Sequence, residues 1–286
     1  MRFNRIARLK GTLVIRMKYV VRTLGAAIIA FAQTSMAQAP SPAIGMVIMH
    51  GKGGSPARLV SGLASALEQK SYLVANLEMP WSANREYDVG VDIAEKEVDA
   101  ALGSLRAKGA NKVFVAGHSQ GALFAIYYGG KHPVDGVIAI APGGNVANNI
   151  FRGELGSYVE QARKLVADGK GNEKTRFGDY EGSKGPYTVT ATPAAYLSWF
   201  DPEGAMNQVK SSRAMNPRVP VLFIAPTNDY PGLVKIKQQM FGALPRNPLT
   251  RMYEPDSSHR DAPFASRDEI VRWTAEVAGT LSPASR

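Results

Sequence analysis

The residues best suited to chemistry lie at 117–121, Gly117-His118-Ser119-Gln120-Gly121. This is a G-x-S-x-G pattern in an informative setting. The apolar run Lys112–Ala116 (KVFVA) precedes it and the apolar run Ala122–Tyr128 follows, so the motif falls on a strand–turn–helix joint. A serine on so tight a turn projects its hydroxyl from the sheet edge, and flanking glycines let strand and helix approach without side-chain collision. The helix that begins there aims main-chain N–H groups at any negative charge that develops. The chemistry implied is nucleophilic attack by Ser119.

A serine hydroxyl is a poor nucleophile until a neighbouring base takes its proton. The chain has four histidines. His118 sits in a turn that must present Ser119, and its own ring points elsewhere. His50 belongs to a glycine-rich loop, His50-Gly51-Lys52-Gly53-Gly54. His132 lies beyond the following helix, about 20 Å from the serine at the helical rise, and reads as a solvated helix-end residue. His259 remains, in the polar loop Asp256-Ser257-Ser258-His259 ahead of the last helical segment. The acid that orients it must come from a strand end close to the site. Asp229, four residues after the apolar run Val219–Ala225, and Asp256, three residues before the histidine, are the two candidates.

The elements that must position these groups alternate. Short apolar runs at Ala43–Met49, Tyr72–Leu77, Lys112–Ala116, Val134–Ala141, Val219–Ala225 and Thr250–Tyr253 predict strands. Between them, Ala57–Gln69, Val91–Arg106, Ala122–Tyr128 (ended by Gly129-Gly130), Gly232–Phe241 and Arg267–Leu281 carry helical spacing. Such alternation predicts an α/β fold with a mostly parallel central sheet and helices on both faces. The rhythm fails over Pro142–Pro217. There a polar helix near Tyr158–Ala167, a loop rich in charge and glycine (Asp168–Gly185) and a helical piece at Pro193–Phe200 predict a cap insertion, residues 145–217.

With GHSQG at 117–121, HGKGG at 50–54 and a downstream acid and histidine, the chain resembles the α/β-hydrolase superfamily over residues 43–283. The resemblance implies the order nucleophile, acid, histidine, with the acid after a late strand and the histidine after the last. Asp229 and His259 match those positions, and Asp256 stays as rival acid. It also implies an oxyanion hole of two main-chain donors: one from the loop after the first strand, at Lys52 or one position away, and one from Gln120. The activity implied is hydrolysis of a carboxylic ester through a covalent acyl-enzyme. Amide or peptide hydrolysis, thioester hydrolysis and acyl transfer are alternatives on the same triad, and a non-catalytic binding protein on this scaffold is a more distant one. No cofactor and no metal is implied. Met79, Trp81, Tyr87, Tyr187, Tyr196, Trp199 and Phe200 are candidates to line an acyl or aromatic pocket, with Trp81, Tyr196 and Trp199 foremost; the alternative reading makes them core of the cap.

Composition narrows the field further. The net charge of +10 suggests nucleic acid, yet residues 1–39 hold seven of the 34 basic residues and no acidic one, leaving 27 basic against 24 acidic in the rest. No basic stripe with interleaved aromatics remains, so no nucleic-acid partner is expected. HGKGGS lacks the G-x-x-x-x-G-K-[ST] spacing of a phosphate loop, and no two histidines stand at i,i+4 to suggest a metal. The absence of cysteine removes thiolate chemistry and disulfides. Residues 1–39 read as a signal peptide: basic residues, the apolar stretch Leu24–Ala32, then Ala37-Gln38-Ala39 as an A-x-A cleavage pattern. Met17 is a candidate start for a compact version. The stretch is far short of the roughly 20 residues of a membrane span. The leader makes a periplasmic or secreted protein the expectation, with residues 40–286 as its α/β domain. Because the insertion 145–217 is not strongly apolar, an esterase on small, soluble substrates is expected rather than a lipase acting at lipid interfaces.

Overall fold

The computed structural model describes residues 43–182 and 184–280; the 1–39 leader reading lies outside them. Six strands form one sheet: β1 (Ile44–Met49), β2 (Leu73–Leu77), β3 (Lys112–His118), β4 (Gly136–Ile140), β7 (Val221–Ile224) and β8 (Arg251–Tyr253). Their order is β2-β1-β3-β4-β7-β8, and every pairing is parallel. The period of two in each strand sorts the core. Met46 and Ile48 of β1 join one apolar cluster with Leu63 and Leu67 of α1 (Ser61–Glu68) and Ile270 and Trp273 of α9 (Arg267–Thr280). Val47 and Met49 face the other, with Val98 and Leu102 of α2 (Val91–Ala107) and Phe124 of α3 (Gln120–Lys131). A strand covered on both sides is apolar along most of its length, and β1, β3 and β4 are buried throughout, with only Lys112 and His118 polar, at the two ends of β3.

The chain leaves β1 for β2 on one side and returns for β3 on the other. The C-terminal ends of the central strands thus open at the point where strand order reverses, where ligands of open α/β sheets bind. Among the described residues no helix is long and apolar enough to cross a membrane.

The predicted strands and helices recur with shifted ends, and two readings are corrected. Gly129-Gly130 does not end α3, which continues to Lys131. Those glycines serve close packing instead: a Cβ on Gly129 would overlap Val137 Cγ2, and one on Gly130 would lie 3.0 Å from the Ala214 carbonyl oxygen. The segment 168–185 is no loop. It contains β5 (Thr175–Glu181), which pairs antiparallel with β6 (Gly185–Ala191). Strand β5 hid behind its composition (TRFGDYE), because the residues on its buried face are not all apolar. Phe177 stacks on Tyr196 with ring centroids 4.3 Å apart, whereas Asp179 is buried as an ion. Gly178 leaves room for the Tyr158 ring, which a Cβ would strike.

The hairpin lies between β4 and β7 with α4 (Asn149–Ala167), α5 (Pro193–Phe200) and α6 (Gln208–Arg213). Because β4 and β7 are neighbours in the sheet, this stretch is an excursion from it. Helix α4 starts nine residues earlier than its polar half suggests, capped by Asn148 Oδ1 accepting from Phe151 N at 2.9 Å.

Candidate active site

Ser119 follows the last residue of β3 with φ 55° and ψ −116°, a strained conformation for a residue with a side chain. The turn is held by Ser119 N donating to Ile140 O (2.9 Å) and Gly143 N donating to Ser119 O (3.2 Å). Both motif glycines are obligatory. A Cβ on Gly117 would overlap the Gly121 carbonyl, and one on Gly121 would collide with Met49 O and lie 2.7 Å from His50 O. Strand, turn and helix are thus pressed against the end of β1, which brings the loop 50–54 beside the serine: a Cβ on Gly51 would lie 3.1 Å from Ser119 Cβ.

His259 sits in the loop after β8, and its Nδ1 lies 2.7 Å from Asp229 Oδ1. Both side chains are buried. Asp229 follows β7, and its carboxylate also accepts from Tyr230 N at 2.7 Å. The loops carrying the two residues are laced together, with Asn228 N donating to Ser257 O (3.2 Å) and Thr227 N to Pro255 O (3.0 Å). Asp256 does not reach the ring; it is exposed and accepts from Asn228 Nδ2 (2.8 Å) and Thr227 Oγ1 (3.3 Å). With Nδ1–H held by the carboxylate, a neutral His259 keeps its lone pair on Nε2. Ser119 and His259 line the same cavity. No hydrogen bond joins them in this state, as is common before substrate tightens such a site.

The remaining histidines have structural partners. His118 Nε2 lies 2.9 Å from His259 O, which can only accept, so Nε2 carries the proton. Burial, reinforced by the His259 ring nearby, pushes the His118 pKa down to about 3. His50 accepts from Met79 N on Nε2 (3.0 Å) and donates from Nδ1 to Gly51 O (2.7 Å); burial lowers its pKa too. His132 is not merely solvated. Its ring lies flat on Tyr128, centroids 4.2 Å apart, and Nε2 meets Glu95 Oε2 at 2.7 Å.

In the loop 50–54, Gly53 N donates to Trp81 O (2.9 Å) and Gly54 N to Gly51 O (3.1 Å). No described residue takes up the main-chain N–H of Lys52 or of Gln120, the two donors expected from the sequence. The cavity they border is about 1230 Å³. Its walls include Leu59, Ile150, Phe151, Tyr230, Leu233 and Ile236, none of them foreseen. Trp81, Tyr196 and Trp199 do not line it. They are fully buried, with polar atoms engaged: Trp81 Nε1 to His50 O (2.8 Å), Trp199 Nε1 to Val89 O (2.8 Å) and Tyr196 OH to Gly178 O (2.7 Å). Aromatic rings draw their stabilisation from full burial, and here they form the core between cap and sheet. Among the described residues no group of side chains is arranged to hold a metal ion.

Parallel sheet, sharp serine turn and a histidine–carboxylate pair at the sheet's C-terminal edge define a hydrolase of the α/β class. The comparisons agree: the profile of the alpha/beta hydrolase family matches residues 25–273, and the chain belongs to that family. A search of curated proteins found no match. Among solved structures, one from a study of LipS and LipT, two metagenome-derived lipolytic enzymes, is similar at TM-score 0.56 and 14% identity, over 84% of this chain and 95% of that one. The monoacylglycerol lipase of Paleococcus ferrophilus is similar at 0.55 and 19%, over 82% and 94%. A carboxyl esterase of Bacillus coagulans, in complex with glycerol, is similar at 0.56 and 14%, over 83% and 91%. At these identities the likeness is one of fold.

Proposed function

We propose that this protein is a serine hydrolase that cleaves carboxylic esters through a covalent acyl-enzyme. The observation that carries the reading is the 2.7 Å Asp229–His259 contact beside a strained serine, in a cavity bordered by two unengaged main-chain N–H groups. In this reading Ser119 Oγ attacks the ester carbonyl while His259 Nε2 takes its proton. The oxyanion accepts from Lys52 N and Gln120 N. His259 then returns the proton to the leaving alcohol, and water repeats the sequence to free the acid. Asp229 holds the tautomer and stabilises the imidazolium. The lipolytic and esterase relatives in fold support ester over amide chemistry.

We further propose export through the basic, apolar leader, placing the enzyme in the periplasm or outside the cell. A fluorophosphonate probe should label Ser119 and not the Ser119→Ala variant, and p-nitrophenyl esters should be cleaved far faster than the matching anilides. No labelling of the unaltered protein would refute a serine hydrolase, and cleavage of anilides alone would refute the esterase.

A further inference from the structure

Lys52 and Gln120, the residues assigned as oxyanion donors, have side chains that converge on one buried carboxylate. Lys52 Nζ forms an ion pair with Asp179 Oδ1, both side chains being almost wholly buried, and donates to Tyr180 O at 3.1 Å. Gln120 Nε2 donates to Tyr87 OH (3.4 Å), which donates to Asp179 Oδ2 (3.0 Å). Tyr187 OH donates to the same oxygen at 2.6 Å, and Tyr180 N to Oδ1 at 2.7 Å. Both oxygens of Asp179 therefore accept two hydrogen bonds. Burial and the Asp179 charge raise the pKa values of both tyrosines, which keeps their hydroxyls as donors. Tyr87 is itself held at φ 59°, unusual for an aromatic residue.

A buried ion pair is a poor source of net stability, because desolvation consumes most of the attraction. What this one supplies is geometry. The strength of an N–H···O⁻ contact falls steeply with distance and angle, so the hole works only if its two donors keep a fixed separation. The donors lie on different segments, the loop after β1 and the start of α3, and the cap hairpin ties both to one point. Resting on the serine-hydrolase reading, we propose that Asp179 is a positioning residue for the oxyanion hole: from the cap it sets the two donors, Lys52 N and Gln120 N, at their working separation.

The test is steady-state hydrolysis of a p-nitrophenyl ester by Asp179→Asn, Tyr87→Phe and Lys52→Met, with inhibition by an alkylboronic acid, whose tetrahedral adduct uses the same donors. Lys52→Met keeps the main-chain N–H. The expected result for Asp179→Asn is a fall in kcat of about 10- to 100-fold, short of the loss of a whole donor. KM should stay near the wild-type value and boronate affinity should fall in parallel with kcat. Tyr87→Phe, which removes one hydroxyl and leaves the ion pair, should lose several-fold in both. A folded Asp179→Asn with unchanged kcat and boronate affinity, or with its loss confined to KM, overturns the proposal. Should Asp179→Asn not fold, an unaffected Tyr87→Phe overturns it equally. Unaltered protein that neither hydrolyses esters nor reacts with a fluorophosphonate overturns the hydrolase reading itself, and the proposal with it.

A second, independent observation concerns charge at the cavity. Basic and acidic residues nearly balance after residue 39, yet the cavity is lined by Lys52, Arg58, Lys184, Lys235 and Arg260 against Glu181 alone. Lys52 is paired with Asp179 and Lys184 with Glu181 (2.8 Å). Arg58, Lys235 and Arg260 make no ion pair with any described residue. On the same walls Leu59, Ile150 and Tyr230 expose 40%, 59% and 42% of their surface. Apolar walls with uncompensated cations fit an amphiphilic anion.

Again on the serine-hydrolase reading, we infer that the preferred substrate is an ester with a hydrocarbon chain and a negatively charged group. The mono-p-nitrophenyl ester of adipic acid and p-nitrophenyl hexanoate, equal in chain length, differ by that charge. At low salt kcat/KM should favour the anionic ester by about tenfold, and 0.5 M NaCl or the Arg58→Ala/Lys235→Ala/Arg260→Ala variant should erase the preference. A preference for the neutral ester, or one that the triple variant leaves intact, overturns the inference. Failure of both esters indicts the hydrolase reading, and the inference falls with it.

Discussion

His118 offers a quantitative test of how the site is packed. Its imidazole is buried, with Nε2 committed to the His259 carbonyl and no described partner on Nδ1. Burial holds its pKa at about 3 in the folded chain, against 6.5 for a free imidazole. Because the folded value is the lower one, the unfolded chain takes up a proton first as pH falls. The group's contribution to stability is complete above pH 6.5 and is lost progressively toward pH 3. At pH 5 the unfolded imidazole lies 1.5 units below its midpoint while the folded one stays neutral, and at about 1.36 kcal/mol per unit the loss is about 2 kcal/mol. His118→Gln keeps an N–H donor within reach of His259 O but does not titrate. Urea unfolding of both proteins at pH 7 and pH 5 isolates the effect, since His50, which shifts in the same direction, is common to both. The wild type should lose about 2 kcal/mol more than the variant between those pH values. Parallel losses would refute the argument, showing that His118 can be protonated in the folded state at little cost.

Three further outcomes are expected. Asp229→Asn should lower kcat about 10⁴-fold by leaving His259 in the wrong tautomer, while Asp256→Asn, altering an exposed loop contact, should stay within about twofold; p-nitrophenyl ester kinetics separates the two acids. Gly121→Ala should lose about 3 kcal/mol in urea unfolding, because the new methyl group meets main-chain oxygens of Met49 and His50 that cannot move independently; an unchanged midpoint would show that the elbow yields. Ser119→Ala should lose all measurable turnover and keep its thermal transition within a degree or two, as expected for removal of one hydroxyl, and residual turnover above background would point to another nucleophile.

The sequence alone determined whatever depends on neighbours in the chain. Six strands and the helices between them were readable because the strands of a covered parallel sheet are short, mostly apolar runs and an amphipathic helix repeats every three to four residues. The serine turn was readable because strand, glycines and helix are contiguous. What the tertiary structure decided is long-range. The order of motifs favoured Asp229 and left Asp256 as a rival; the pairing of the loops after β7 and β8 is what brings Asp229, and not Asp256, to the imidazole. That Gly53 N and Gly54 N are engaged within the loop region was likewise visible only in the fold. The aromatic residues of the cap could be read as pocket lining or as core, and the fold places Tyr196, Trp199 and Phe200 in the core, since a sequence shows that a ring will be buried and not against what. Strand β5 resembled a loop because its buried aspartate is matched by a lysine 127 positions earlier. Local pattern reports each residue's own preference; a charge inside a protein is tolerable only through partners, and those are chosen by the fold.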